Sequence, residues 1–527
     1  MCGLLVYTGL EYKKYSDKLK SGFDSLVHRG PDDSSILNYS KGSMFFHRLS
    51  INDLGLNANQ PFVRGDYHLV CNGEIYNHHA LKNEFSLELP SNSDCEVIIP
   101  LFKKFGIEGL LNKIDGEFAF VLYDNVKKQH FVARDPIGIR PLFYAKLSNN
   151  EFVFASEAKA LIELSNEVHP FPPGYYWDGK DFIQYLDITK VDKYHNDSME
   201  TIADNIHDLL VQGIVTRLDA DANIGFLLSG GLDSSIVCAI AQKNSKKPID
   251  TFAIGMESDP IDLKYAQIVA NHIGSNHHEI IISEQDVLDA CKEVIYHLES
   301  YDITTIRASI GMHLICKYIK ENTNIKSVMT GELSDELFGY KYTDFAPNAH
   351  EFQLEAKKRI DEIYLYDVLR ADRTISANSL EARVPFSDQK FVEYVMAINP
   401  EVKLNKYNMG KFLLRNAFNR NDYLPESILY RDKAAFSDAV GHSLVDCLKD
   451  YANQNYKHSD LSRAKLKYPH VTPFTNESLM YRDIFESFYK GKSYWVKDFW
   501  MPNKTWENCN VSDPSARVLP NYGESGK

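Results

Sequence analysis

Cys2 stands where loss of the initiator Met would make it the first residue of the chain. A thiolate is a strong nucleophile, and a free α-amine with a reference pKa of about 7.7–8.0 is a suitable base beside it. One residue then supplies both halves of a nucleophilic pair. A cysteine near a terminus is more often just a small buried residue, so its company decides. That company is His28-Arg29-Gly30-Pro31-Asp32, Phe46-His47-Arg48-Leu49-Ser50-Ile51, Cys71-Asn72-Gly73-Glu74-Ile75-Tyr76-Asn77 and Ser93-Asp94-Cys95-Glu96. A free amino-acid amide held for attack needs a cation for its α-carboxylate, an anion for its α-ammonium, and donors for the oxyanion that forms. Arg48 offers a bidentate carboxylate partner. Glu74 and Asp94 can take the ammonium, and the Asn72 side chain with the Gly73 N–H can make an oxyanion hole. Singly, each has a blander reading: Asn-Gly is a common turn, and Arg48 or Asp94 a solvated charge.

A second constellation begins at Leu227-Leu228-Ser229-Gly230-Gly231-Leu232-Asp233-Ser234-Ser235, after an apolar run and before a helical one. A Gly pair at such a junction lets backbone N–H groups approach a phosphate, aided by the helix N-terminus. The Gly-Lys-Ser/Thr ending of a Walker A loop is missing, and a plain structural turn can also use Ser-Gly-Gly. Further on, Thr330-Gly331-Glu332-Leu333-Ser334-Asp335-Glu336 carries three carboxylates in five residues. They are costly to pack unless cations or water satisfy them, although a solvated helix start also favours acids. Magnesium prefers one or two carboxylates plus phosphate oxygens. Asp233 and Asp335 are the metal candidates, leaving Glu332 for acid–base work.

The elements that must position these groups fall into two textures. Up to about residue 180 the chain is β-rich, with short runs at Gly42–Ile51, Tyr67–Tyr76, Glu117–Asp124, His130–Asp135 and Glu151–Ser156, and one helical stretch after Asp94. A polar, turn-rich stretch at Asp178–Asn196 reads as a linker. From about Ser198, helices alternate with buried-type strands at Ile224–Leu228, Asp250–Gly255, His278–Ile282 and Ser327–Thr330, the pattern of a parallel α/β sheet. Such sheets bind ligands at the carboxyl ends of their strands, where both loops of the second constellation fall. Beyond Asp344 the reading is mostly helical to about Tyr489, and the tail from Pro502 reads as loosely held.

Met-Cys-Gly at the start, HRGPD, RLSI, NGEIYNH and SDCE, in this order and spacing, resemble the N-terminal-nucleophile glutaminase domain of class II amidotransferases. SGGLDSS resembles the phosphate loop of the ATP pyrophosphatases. YDITTIRA, LEARVPF and RDKAAFSD resemble the synthetase domain of the glutamine-hydrolysing asparagine synthetases. The resemblance implies an α/β protein of two domains. Residues 1–190 would form an αββα Ntn-hydrolase sandwich and 200–500 a parallel α/β sheet of ATP-pyrophosphatase type with added helices, followed by a loose tail at 501–527. It implies Cys2, Glu332 and Lys433 as catalytic. It implies glutamine contacts from Arg48, Leu49, Ser50, Ile51, Asn52, Asn72, Gly73, Glu74 and Asp94. ATP contacts would come from Leu227, Ser229, Gly230, Gly231, Asp233, Ser234, Ile254, Thr330 and Gly331. Glutamine, aspartate and ATP would be the small-molecule partners, with magnesium, and asparagine, glutamate, AMP and pyrophosphate the products of a β-aspartyl-AMP route. Oligomeric state stays open, a homodimer included.

One departure stands out. The family loop usually reads GEGSDELFGGY, whereas Leu333 replaces a Gly here and the second Gly after Phe338 is missing. Leu333 is expected at φ < 0, because a bulky aliphatic residue is a poor choice for left-handed geometry.

Composition bounds the rest. A net charge of -14 argues against a nucleic-acid binder, and no run approaches the roughly 20 apolar residues of a membrane helix. The start has no basic n-region, so it does not read as a signal peptide. Eight scattered cysteines without a CxxC pair suggest a reducing cytosol rather than zinc or disulfides. His277-His278-Glu279 reads as strand, with neighbouring side chains on opposite faces. A β-lactam-forming synthetase of the same ancestry is the nearest rival, but those have a degenerate glutaminase half. A non-catalytic sensor would be expected to lose Cys2, Asp233, Asp335 or Glu332, and all four are present.

Overall fold

The computed structural model describes residues 1–258, 260–432 and 440–523. Two six-stranded sheets and one five-stranded sheet organise it. The first sheet runs in the order His169–Pro170, Phe143–Lys146, Phe152–Ala155, Gly3–Thr8, Gly42–Arg48, Asp33–Tyr39. The second runs Phe182–Gln184, Tyr175–Trp177, Gln129–Arg134, Gly116–Asp124, Tyr67–Ile75, Phe62–Arg64. Their strands pair antiparallel throughout.

Alternation along these strands builds the layers, because successive side chains point to opposite faces. Leu4, Val6, Met44 and Phe46 meet Val70, Ala119, Val121 and Val132 of the other sheet in a core between the two. The neighbours Leu5, Tyr7 and Phe45 pack outward with Tyr15, Leu19 and Phe23 of the helix Tyr12–Asp24. On the far side, Leu69, Phe118, Phe120 and Leu122 pack with Leu101 and Phe102 of the helix Ile98–Leu111. The result is the expected αββα sandwich.

The third sheet is parallel, in the order Asn276–Ile282, Asp250–Met256, Asn223–Leu227, Ile325–Met329, Glu381–Arg383. Asn223–Leu227 comes first in the chain and sits in the middle, so the strand order reverses beside it. That is the topological switch point where such sheets open a crevice. The helices Leu232–Lys243 and Ile261–Ile273 cover one face and the helices Glu284–Leu298 and Ile303–Asn322 the other. Ala253 joins the first core, while Phe252, Ile254 and Met256 join the second. The short strand Glu381–Arg383 escapes the period-2 pattern because it is only three residues long.

Two expectations fail. Up to residue 523, where the described residues end, the tail is not loose: Trp506, Cys509 and Leu519 are buried in a cluster with Tyr342. Its Asn, Ser and Pro content reads as loop, but three spaced apolar residues are enough to dock it. The second correction is Leu333, at φ 78, ψ -14 in the left-handed region. It is 1% exposed in the main synthetase core, so burial of a large side chain holds a backbone that the residue alone disfavours. The missing second Gly has no such consequence: Gly339 takes the positive φ of 97, and Tyr340 is extended at φ -115.

Candidate active sites

The first site gathers at the carboxyl end of Gly42–Arg48 and along Tyr67–Ile75. The Cys2 N–H donates to Asn72 Oδ1 at 2.9 Å, which turns the Asn72 amide over. Its Nδ2 is left buried with no hydrogen-bond partner. A buried orphan donor costs about 1–3 kcal/mol, so a ligand acceptor there is strongly favoured. The Leu49 N–H donates to Cys2 Sγ at 3.4 Å, and Arg29 Nε donates to the Cys2 carbonyl at 3.0 Å. Gly73 is needed for packing: a Cβ there would lie 2.3 Å from the Glu117 carbonyl.

Burial first, and then the charge of Asp94, push the Glu74 carboxyl well above its usual range. Burial pushes Asp94 up as well, against the Ile75 N–H that donates to it at 2.7 Å. A cation held between the two carboxyls would favour their charged forms. Glu74 also accepts from Asn52 Nδ2 at 2.5 Å. Arg48 is held by the loop beyond it, donating to the Gly55 carbonyl at 2.9 Å and to the Asp53 carbonyl. Ser50 gives its N–H to Asp32 at 2.9 Å, and the Ile51 carbonyl accepts from Ala222 across the domain boundary at 3.1 Å.

With Met1 attached, burial pushes the Cys2 thiol up to about 11 and the Met1 amine down to about 6. The Met1 side chain is wedged between domains, its sulfur 2.9 Å from Arg140 Nη1. A thiol at that value is almost wholly protonated near neutrality, so it needs a base of its own.

The second site is one pocket at the switch point. It is lined by Leu227, Ser229, Gly231, Asp233, Ser234, Ile254, Thr330, Gly331, Glu332 and Asp335. Of the expected ATP contacts, Gly230 alone is absent from the lining; its work is structural. At φ 68 it turns the loop, and a Cβ there would lie 2.5 Å from the Ala266 nitrogen. Gly331 approaches the first loop so closely that a Cβ would sit 2.9 Å from the Ser234 nitrogen. Gly231 then caps the helix Leu232–Lys243, whose first turn faces the cavity.

Lys411 was invisible to sequence reasoning. Its Nζ donates to both Asp233 oxygens at 2.7 and 2.8 Å and lies 2.6 Å from Asp335. One ammonium therefore holds together the two carboxylates proposed for magnesium. The donors are hard oxygens converging on one cation position, as that ion requires, with further oxygens left for phosphate to supply. Among the described residues the one group with three metal-ligand atoms in reach is His78, His79 and Asp219 instead.

Glu332 accepts from Arg370 Nη2 at 2.7 Å, and its burial raises it above the usual carboxylate range. Arg431 donates to the Gly230 carbonyl at 3.0 Å and lies over the Tyr265 ring at 3.6 Å, so this residue reaches the phosphate loop. Lys433 lies outside the described residues.

Buried ion pairs join the two sites. Arg29 donates to Asp372 at 2.8 and 3.0 Å and to Glu157 at 2.7 Å. Arg140 lies 3.1 Å from Glu117 and 3.6 Å from Glu381, while Arg383 reaches Glu74 at 3.4 Å. The last pair ties the first site to the strand beside the second.

Comparison with known proteins agrees with this division of labour. Residues 1–208 match the glutamine amidotransferase domain family, and residues 205–361 and 344–511 match asparagine synthase. The glutamine-hydrolyzing asparagine synthetase of Mus musculus is 41% identical, over 95% of this chain and 96% of its own length. Those of Homo sapiens and Gallus gallus are each 40% identical, over 95% and 94% of this chain and 96% and 95% of theirs. The chain belongs to the family of glutamine-hydrolysing asparagine synthetases.

Proposed function

We propose that this chain makes asparagine from aspartate, using ATP and ammonia taken from glutamine. The observation that carries the reading is the pairing of a nucleophile set with an open amide donor, Cys2 beside Asn72, and an acid–lysine cluster at a phosphate loop. The substrate names come from the relatives, whose printed name gives glutamine hydrolysis and asparagine synthesis.

Once Met1 is removed, the Cys2 amine takes the thiol proton and the sulfur attacks the glutamine amide carbon. Asn72 Nδ2–H meets the oxyanion; the proton returns to the leaving nitrogen, ammonia departs, and water cleaves the thioester to glutamate. Glu74 and Asp94 hold the substrate ammonium. Arg48 faces its carboxylate, through contacts now spent on the 53–59 loop.

At the second site the aspartate side-chain carboxylate attacks the α-phosphorus of ATP and pyrophosphate leaves, giving a mixed anhydride. Ammonia attacks the anhydride carbonyl, Glu332 takes the surplus proton, and AMP leaves. Asp233 and Asp335 would hold magnesium, displacing Lys411, and the ion would supply positive charge to the phosphates. The eight free cysteines fit a reducing compartment such as the cytosol.

Incubation with ATP, magnesium, aspartate and glutamine should yield asparagine, glutamate, AMP and pyrophosphate in equal amounts. Release of ADP and phosphate would exclude the adenylation route.

A further inference from the structure

Part of the synthetase pocket is walled by the end of the chain. The helix Ile303–Asn322 turns Thr304, Arg307, Ala308 and Met312 toward the cavity, at spacings that keep them on one face. Pro514, Ser515 and Ala516 line the same cavity. These three lie beyond residue 511, where the asparagine synthase match ends.

Asp513 anchors this wall. Arg307 donates from Nε and Nη2 to Glu477 at 2.8 and 2.6 Å, and from Nη1 and Nη2 to Asp513 at 2.9 and 3.1 Å. Lys449 Nζ lies 2.8 Å from Asp513 Oδ2, the oxygen that Arg307 Nη2 also reaches, and the Ser515 N–H donates to Asp513 Oδ1 at 2.8 Å. Two cations and two carboxylates thus close a cluster with no surplus charge. Paired forks of this kind fix a guanidinium plane as well as its position.

The cluster's place suggests which substrate it serves. Met312 Sδ is 3.9 Å from Arg370, the partner of Glu332. Arg307 is five residues earlier on the same helix, about 7.5 Å of rise away. The helix that carries Arg307 therefore also reaches the partner of the carboxylate that handles the acyl group, in the cavity that Pro514, Ser515 and Ala516 line, whereas the adenosine contacts expected at Leu227 and Ile254 come from the sheet.

We propose that Asp513 is a positioning residue for the acceptor amino acid. It ties the 513–516 segment to Arg307 and so sets the wall against which aspartate is held. This rests on the reading of aspartate as acceptor, which asparagine formation by the unaltered enzyme checks separately.

The test is steady-state kinetics of ammonia-dependent synthesis for Asp513→Asn, Asp513→Glu and Lys449→Met. Asp513→Asn should raise KM for aspartate about tenfold, the loss of one charge-assisted contact. Its kcat, its KM for ATP and its glutaminase activity should stay within about twofold of the unaltered enzyme. Asp513→Glu should recover most of the loss. Lys449→Met, which leaves the pocket lining intact, should move KM for aspartate the same way by a smaller factor and covers the case in which Asp513→Asn fails to fold. An unchanged or lowered KM for aspartate, or a rise confined to ATP, would overturn the proposal.

Discussion

Around Cys2 the groups that meet the substrate amide are neutral: an amide side chain, backbone N–H groups and a thiol, with one donor left open. Around Asp233 charged groups dominate, and Lys411, Arg370 and Arg307 each rest on protein carboxylates. A glutamine amide entering the first site meets the open donor Asn72 Nδ2. A polyphosphate entering the second must exchange partners, because its oxygens compete for the Lys411 ammonium now held by Asp233 and Asp335. The first site is built for one oxyanion, while the second is a set of ion pairs waiting to be redistributed.

The sharpest way to break that contrast is to remove the nucleophile. Cys2→Ala should lower glutamine hydrolysis by about a thousandfold or more, with ammonia-dependent asparagine formation within about twofold of normal. Joint loss in a folded variant would mean that the two sites are not separable. Next comes the ion-pair site. Asp233→Asn removes the main partner of Lys411 and a magnesium candidate, and should cut pyrophosphate formation about a hundredfold while glutamine hydrolysis persists. Equal loss of both activities would erase the distinction.

The smallest effect concerns the backbone of the second site. Leu333→Gly relieves a left-handed strain of about 1–3 kcal/mol but forfeits a buried side chain worth about 2–5 kcal/mol. Stability should therefore fall slightly in chemical denaturation. The control is Leu333→Ala, which loses the same packing without relief. Leu333→Gly should be the more stable of the two by about 1 kcal/mol, the reverse of the usual order.

Much of this was legible in advance. SGGLDSS sits on a strand–turn–helix junction, and NGEIYNH lies at the end of a strand, because local pattern specifies local structure. Lys411 was not legible, because its partner Asp233 is 178 positions away and a single lysine carries no pattern. Arg383 belongs to the quoted LEARVPF segment, yet its reach to Glu74 depends on how two domains dock. For Leu333, intrinsic preference argued for φ < 0 and tertiary packing overruled it. The tail misled for a related reason: composition reports the lack of regular structure, not the lack of contacts.

The ion pairs that cross the boundary also bear on how the molecule comes apart. Arg29, Glu157, Asp372 and Arg373 are all buried, with partners drawn from both halves. Separating the halves would leave charges stranded, and breaking one such buried pair costs about 3–5 kcal/mol. Neither half can open cheaply while the other stays folded. Thermal or chemical denaturation is then a joint event for both catalytic units, and a chain severed near residue 195 would yield two pieces that each lack the counter-charges of the other.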